Sequence, residues 1–238
     1  MFILNMSRLL STKDINFIKT LLENDSKKIE KIIIKKGSKD LRIQNIVSLA
    51  KKNSTEIITD KTERFEAYFY PKEMKDINFL ETIIIKKKDP LLVVLDHIQD
   101  PQNLGSILRS SLGASVDAII VPKDRACHLT PTVRKVSKAA SEIIPMIVVN
   151  NLRNTIKILK KYSFEIYACS GEANKNYFEV GFTGPKVLIF GSEEKGIQKF
   201  LASEADEKIK IPIDSRLESL NVSNATSVIL FEAKRQRI

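Results

Sequence analysis

The sequence has no tryptophan, two cysteines, two histidines and only eight glycines in 238 residues. Each scarcity removes a class of protein. Cys127 and Cys169 stand far apart with no CxxC spacing, so a disulfide framework is not expected, and the pair suits a reducing, cytoplasmic setting. With His97 and His128 as the only histidines, a histidine-based metal site is not expected, and no GxSxG elbow points to a catalytic triad. Neither GxxxxGK[ST] nor GxGxxG occurs, which argues against a phosphate-loop NTPase, a dinucleotide oxidoreductase or a glycine-loop methyltransferase. No apolar run is long enough for a membrane span. The opening MFILNMSRLLSTKD lacks the basic n-region and cleavage site of a signal peptide.

Acidic residues are also short. The 39 Lys and Arg outnumber 29 Asp and Glu, a net charge of +10 that points to an anionic partner. Residues 1–90 carry 19 cationic against 13 acidic side chains, and residues 91–238 carry 20 against 16, so the first part is the more basic for its length. A lysine-rich solvated surface looks the same, and charge alone does not decide for nucleic acid. The composition, 43% hydrophobic and 29% charged, is that of a soluble globular protein with a real core in one or two domains.

Hydrophobic patterning divides the chain near residue 88, at the lysine-rich KKKDP (86–90). Before it, helices over 14–23 and 44–52 and strands over 31–35 and 56–59 predict a small α/β domain, 1–88, with 65–70 ambiguous and 83–85 closing it. Phe65, Tyr68, Phe69 and Tyr70 suit core packing first and base stacking second. After it, LLVVL (91–95), AIIVP (118–122), PMIVV (145–149), EIYAC (165–169) and KVLIF (186–190) are apolar runs of strand length. Helical patterns over 101–112, 132–141, 152–161 and 198–202 separate them, and a strand in 208–213 and a C-terminal helix follow. This alternation predicts a mostly parallel sheet with helices on both faces over 89–238.

Three polar clusters follow strands: LDHIQDPQNLGSILR, GSEEKG and DSRLESLN. Ligands of open α/β sheets bind beyond the carboxyl ends of strands, so the three predict one composite crevice. In the first, Asp100 is a helix cap with Pro101 behind it. Gln102, Gly105, Ser106 and Arg109 share one helix face, with Leu104, Ile107, Leu108 and Leu112 inward. Arg109 suits a phosphate or sugar oxygen, and equally a solvated helix face. In GSEEKG, Gly191 and Gly196 let backbone amides approach a flat ligand, and one of Glu193 and Glu194 is a surface charge. In the last cluster Ser219, Asn221 and Ser223 offer caps to an otherwise ordinary helix ending in Lys234, Arg235 and Arg237.

DPQNLGSILRS, LIFGSEEKGI and IPIDSRLESLNVSNA together resemble the three ordered motifs of the SpoU (TrmH) family of RNA ribose 2′-O-methyltransferases. The likeness runs through VPKDRACHLTPTVRKVSKAASEIIP to FEAKRQR, about residues 91–237, and is nearest to the bacterial large-subunit rRNA guanosine 2′-O-methyltransferases. INFIKTLLEN and KIEKIIIKKG resemble the opening of their small N-terminal RNA-binding domain. EAYFYPKEMKDIN stands where that domain has a His-Gln-Gly segment.

The resemblance implies a SPOUT-like α/β fold whose C-terminal segment forms a trefoil knot, a cytoplasmic homodimer, and S-adenosylmethionine (SAM) as methyl donor without a metal. It implies SAM contacts at Gly191, Ile211 and Leu220, and active-site roles for Asn103, Arg109, Glu193, Ser219 and Asn221. The implied reaction is methyl transfer to a ribose 2′-hydroxyl of structured RNA, with 23S rRNA expected as substrate. A tRNA methyltransferase and a non-catalytic RNA-binding paralogue are the alternatives. The family assigns the motif-one Arg as base. Arginine stays protonated, so Arg109 is expected instead to stabilise the developing alkoxide and clamp a phosphate, while Asn103, Ser219 and Asn221 orient ribose and donor.

Overall fold

The computed structural model describes residues 9–61 and 65–238. Most of the opening stretch weighed as a signal peptide, residues 1–8, lies outside the described residues. The chain divides into two compact units, Met1–Glu73 and Met74–Ile238.

In the first unit, β1 (Leu10–Thr12), α1 (Ile15–Asp25), β2 (Ile29–Lys35), α2 (Leu41–Lys52), β3 (Glu56–Asp60) and β4 (Glu66–Phe69) follow in order. The sheet order is β1-β4-β2-β3, with β2 and β3 parallel and the other pairings antiparallel. Asp14 caps α1 by accepting from the Phe17 amide at 3.0 Å, and the helix buries Phe17, Ile18, Leu21 and Leu22. The ambiguous segment 65–70 contains strand β4. Its Phe69 packs in the core against Phe17, ring centroids 4.9 Å apart, while Tyr70 is exposed.

The second unit begins before the expected break at 88. Lys75 pairs with Ile147, its amide donating to Met146 O at 2.8 Å and its carbonyl accepting from Val148 N at 2.8 Å. Residues 79–86, including the 83–85 stretch read as closing the first domain, are helix α3 (Phe79–Lys86), and its Leu80 and Ile83 are buried in the second unit's core. KKKDP therefore runs from the last residue of α3 into a loop inside the second unit and is not a linker between units.

Alternation then proceeds as β5 (Leu91–Asp96), α4 (Pro101–Gly113), β6 (Ala118–Pro122), α5 (Pro131–Ser137), α6 (Ala140–Ile143), β7 (Met146–Val149), α7 (Leu152–Lys161) and β8 (Glu165–Cys169). The short β9 (Lys175–Asn176), then β10 (Lys186–Gly191), α8 (Lys199–Ala202), β11 (Glu207–Lys210) and α9 (Val222–Gln236) complete the chain. Every pairing in the sheet, ordered β7-β6-β5-β10-β8-β11-β9, is parallel. All of β5 is buried. Its Leu91, Val93 and Leu95 face one core layer with Leu104, Ile107 and Ile229, and its Leu92 and Val94 face the other with Leu80, Ile156 and Leu159. Full burial of such a side chain stabilises by roughly 1.5–3 kcal/mol, which is why a strand covered on both faces reads as an unbroken apolar run.

Two local expectations change. The helix predicted over 132–141 is two helices, because Lys138 takes φ 56° and breaks the hydrogen-bond ladder, with Arg134 pairing across the break to buried Glu142. Gly105 is buried rather than on an open face with Arg109: a Cβ there would lie 2.6 Å from Val136 Cβ, so its smallness lets α4 and α5 approach. At the chain's end, Arg237 donates to the carbonyls of Phe182 (2.8 Å), Asp89 (2.7 Å) and Gly184 (2.6 Å), and burial lowers its pKa. Hydrogen bonds to charged groups contribute about 1.5–3 kcal/mol each. Arg237→Ala is expected to lower unfolding free energy by at least about 2 kcal/mol in urea melts, and a change below a few tenths would reject this anchoring role.

Candidate functional site

The strand order reverses between β5 and β10: β6 and β7 lie on one side, β8, β11 and β9 on the other. Such a switch point opens a crevice beyond the strand ends. Asp96 and Gly191, the last residues of β5 and β10, are register partners, so the first two polar clusters leave the sheet side by side. The third arrives with α9, which packs on α4 through Ser110 Oγ and Ser227 Oγ at 2.6 Å.

Local chemistry fixes the first cluster as expected. Pro101 opens α4, and the Asp100 carboxylate accepts from the amides of Gln102 (3.1 Å) and Asn103 (3.2 Å). That holds the Asn103 side chain at the crevice. Of the three hydroxyl and amide caps available to α9, Asn221 is the one used: its Oδ1 accepts from the Ser223 amide at 2.9 Å and the Ser223 hydroxyl at 2.6 Å.

Asn103, Glu193 and Asn221 meet. The Asn221 side-chain amide donates to Asn103 Oδ1 at 2.9 Å and to Glu193 Oε1 at 2.5 Å. Asn103 Nδ2 donates to the same Glu193 oxygen at 3.2 Å, and the Val222 amide at the start of α9 donates to it at 3.3 Å. A helix N-terminus favours a carboxylate there. Glu193 is thus the engaged member of the Glu193–Glu194 pair. Residues 90 and 118 positions from Asn103 are thereby joined to it in one network.

Two cavities meet at Glu193 of this network; Asn103 lines the second of them, and Asn221 lines neither. The first is lined by apolar side chains, among them Phe190, Ile209, Ile211, Leu220 and Ile229, and by Gly191, Glu193 and Ser219. The expected cofactor positions Gly191, Ile211 and Leu220 all lie in its wall. Glu218 and Cys169 line it as well, and neither was expected from the sequence. Burial raises the Cys169 thiol pKa well above its ordinary value, so it serves as an apolar wall and not as a nucleophile. The second cavity is polar and larger, about 550 Å³, and holds His97, Gln99, Asn103, Arg125, Glu194 and Lys195. Asp96, fully buried, accepts from the Gln198 amide at 2.7 Å and its side chain at 3.0 Å, tying the loop after β10 to the end of β5. Arg109 is exposed on α4 and lines neither cavity. Among the described residues, no group of three His, Cys, Asp or Glu is placed to hold a metal ion.

A profile of the SpoU rRNA Methylase family matches residues 90–231. The chain belongs to the SpoU family. The 23S rRNA (guanosine-2′-O-)-methyltransferase RlmB of Pseudomonas syringae pv. tomato is 34% identical over 244 aligned positions, 98% of each chain. The SpoU fold is seen in the methyltransferase AviRb from Streptomyces viridochromogenes, crystallised with AdoMet, at TM-score 0.74 and 20% identity over 96% of this chain and 90% of that one. The A. aeolicus TrmH/SpoU tRNA modifying enzyme is 29% identical with TM-score 0.58, covering 67% of this chain and 81% of its own. The resemblance carried by the three motifs is therefore a SpoU membership. Within this SpoU chain those motifs supply Asn103, Glu193 and Asn221.

Proposed function

We propose that this protein transfers the methyl group of SAM to a ribose 2′-hydroxyl of 23S rRNA in the cytoplasm, acting as a homodimer. The observation that carries the reading is the Asn103–Glu193–Asn221 network, whose Glu193 lines both an apolar and a polar cavity. SAM has an apolar face and polar ends, and the first cavity offers Ile211, Leu220 and Ile229 beside the Glu218 carboxylate and the Gly191 backbone. It encloses about 190 Å³, below the ~300 Å³ at which small-molecule sites usually begin, so SAM would displace part of the exposed 213–219 wall.

When bound, SAM supplies a sulfonium carbon open to nucleophilic attack. The residues of this chain do the rest. Asn103 and Asn221 orient the ribose, Ser219 lines the donor side, and Glu193 fixes both asparagine amides. The 2′-oxygen gains the methyl as the carbon–sulfur bond breaks, and the hydroxyl proton is lost to solvent or a neighbouring phosphate. Arg109 stabilises the forming alkoxide. Since it lines neither cavity of its own chain, we assign it to the site of a second copy. Exposed Val228 and Phe231 on α9, with the Phe231 ring beside Gly113 of α4, offer that copy an apolar surface next to Arg109's helix. We also propose that the segment from β10 through α9 is threaded as a trefoil knot, and that the basic first unit binds RNA.

The rRNA assignment is preferred to tRNA because an rRNA-named relative matches end to end, whereas the tRNA enzyme covers 67% of this chain. The assembled polar network disfavours a non-catalytic paralogue. The test is transfer of radiolabelled methyl from SAM to 23S rRNA of cells lacking this protein. Nuclease digestion should recover the label as a 2′-O-methylated nucleoside, guanosine being expected. Label on a base, or in tRNA alone, would reject the assignment.

A further inference from the structure

Resting on that reading of function, we infer that the second cavity is the seat of the acceptor nucleotide, with its phosphate on Arg125 and Lys195 and its base and sugar against His97 and Gln99. Three observations converge. First, the two cavities share Ser192, Glu193, Gly196 and Val222, so they are separated by one wall that contains Glu193 of the polar network. A donor in the apolar cavity leaves the acceptor the other side. The polar cavity's volume of about 550 Å³ lies within the range of small-ligand sites, ~300–1,000 Å³, and accommodates one nucleotide.

Second, the wall presents two cations to a phosphate, with its carboxylates Asp100 and Glu193 turned toward amide donors. Of the carboxylates in the wall, Asp100 is engaged by the amides of Gln102 and Asn103, and Glu193 by Asn103, Asn221 and Val222. Glu194 shares the wall with the Arg125 and Lys195 side chains, which are exposed and have no ion-pair partner among the described residues.

Third, the backbone is strained at this place. His97 takes φ 60° and Arg125 φ 54°, the left-handed region, and both residues line the cavity. A non-glycine residue held there costs of order 1 kcal/mol and persists where surrounding contacts over-determine it. Here the contacts are visible: His97 Nδ1 lies against the buried Asp96 carboxylate, which also holds Gln198. The strand end thus fixes an imidazole at the cavity wall where glycine would be the relaxed choice.

The experiment compares wild type with the Arg125→Ala/Lys195→Ala double variant. Initial rates of methyl transfer to 23S rRNA from cells lacking this protein are measured over a range of salt, and SAM affinity by calorimetry. The double variant should raise KM for RNA about tenfold or more and flatten the log–log salt dependence of kcat/KM by about 0.7 for each lost single-strand phosphate contact. SAM affinity should not change, and Arg125→Lys should keep most of the RNA affinity. An unaltered KM and salt slope in the folded double variant would overturn the seat. So would an equal loss of SAM affinity, which would assign the cavity to the donor. Wild type that transfers no methyl to RNA refutes the functional reading itself, whereas an active wild type with an indifferent double variant refutes only the seat.

Discussion

Replacing Arg109 with alanine is expected to lower methyl transfer by roughly 10²-fold or more, the scale of losing one positioned charge donor. SAM affinity should stay at the wild-type value, because Arg109 lines neither cavity of its own chain. If the side chain serves a second copy, complementation follows. Mixing Arg109→Ala with Asn221→Ala chains should produce mixed dimers in which one site has both an intact Asn221 and the partner's intact arginine. Activity should then rise well above either parent, toward half of one wild-type dimer in each mixed pair. Mixtures no more active than their parents would assign Arg109 to its own chain, and full activity in Arg109→Ala alone would remove it from the chemistry altogether. Lysine at this position keeps the charge but not the planar fork, so partial recovery separates electrostatic stabilisation from two-point phosphate clamping.

Gly191→Ala is expected to weaken cofactor binding at least tenfold with modest damage to the fold. A Cβ at Gly191 would stand 2.1 Å from the Gly196 carbonyl carbon, 2.2 Å from its oxygen and 2.3 Å from the Ile197 nitrogen. All three are backbone atoms, so no flexible side chain can yield. The loop they belong to is closed on itself by Gly196 N donating to Ser192 O at 2.8 Å and is pinned at Gln198 by Asp96. An added methyl must therefore push the whole loop outward, taking Glu193 from the network and one wall from the apolar cavity. Overpacking of this kind costs about 1–3 kcal/mol of stability, while SAM affinity should fall at least tenfold, roughly the loss of 1.4 kcal/mol of binding. Gly181→Ala is the control. A Cβ there meets nothing within 4 Å, and Gly181 lies outside both cavities, so its stability and binding should match wild type.

The parallel sheet was legible because its physics is local. Strands buried on both faces must be apolar throughout, and the five runs from Leu91 to Phe190 all form strands. The α4 cap was equally plain, since Asp-Pro before an amphipathic stretch has few other uses. Placing the three polar loops together needed only the rule that ligands gather beyond strand ends, and the Asn103–Glu193–Asn221 network fulfils it. What escaped was tertiary. Nothing in periodicity distinguishes Gly105, buried against Val136, from a glycine on an open face, because the partner helix is thirty residues away. Lys138 broke its helix without proline or glycine to announce it. KKKDP looked like a boundary because loops within and between domains share a composition. The pairing of Lys75 with Ile147 that sets the true division is a backbone contact without a side-chain signature. The Asp96–His97 pair did carry a signal, an acid and an imidazole at a strand end, but only the Gln198 amide reveals its bracing role.

The sharpest single test is a calorimetric titration of the folded protein with SAM, run in parallel on wild type, Gly191→Ala and Arg109→Ala. One site per chain is predicted in wild type and in the Arg109 variant, with affinity at least tenfold weaker in the Gly191 variant. A folded wild type that takes up no SAM, or a Gly191 variant that binds it as tightly, would contradict the assignment of the apolar cavity to the methyl donor.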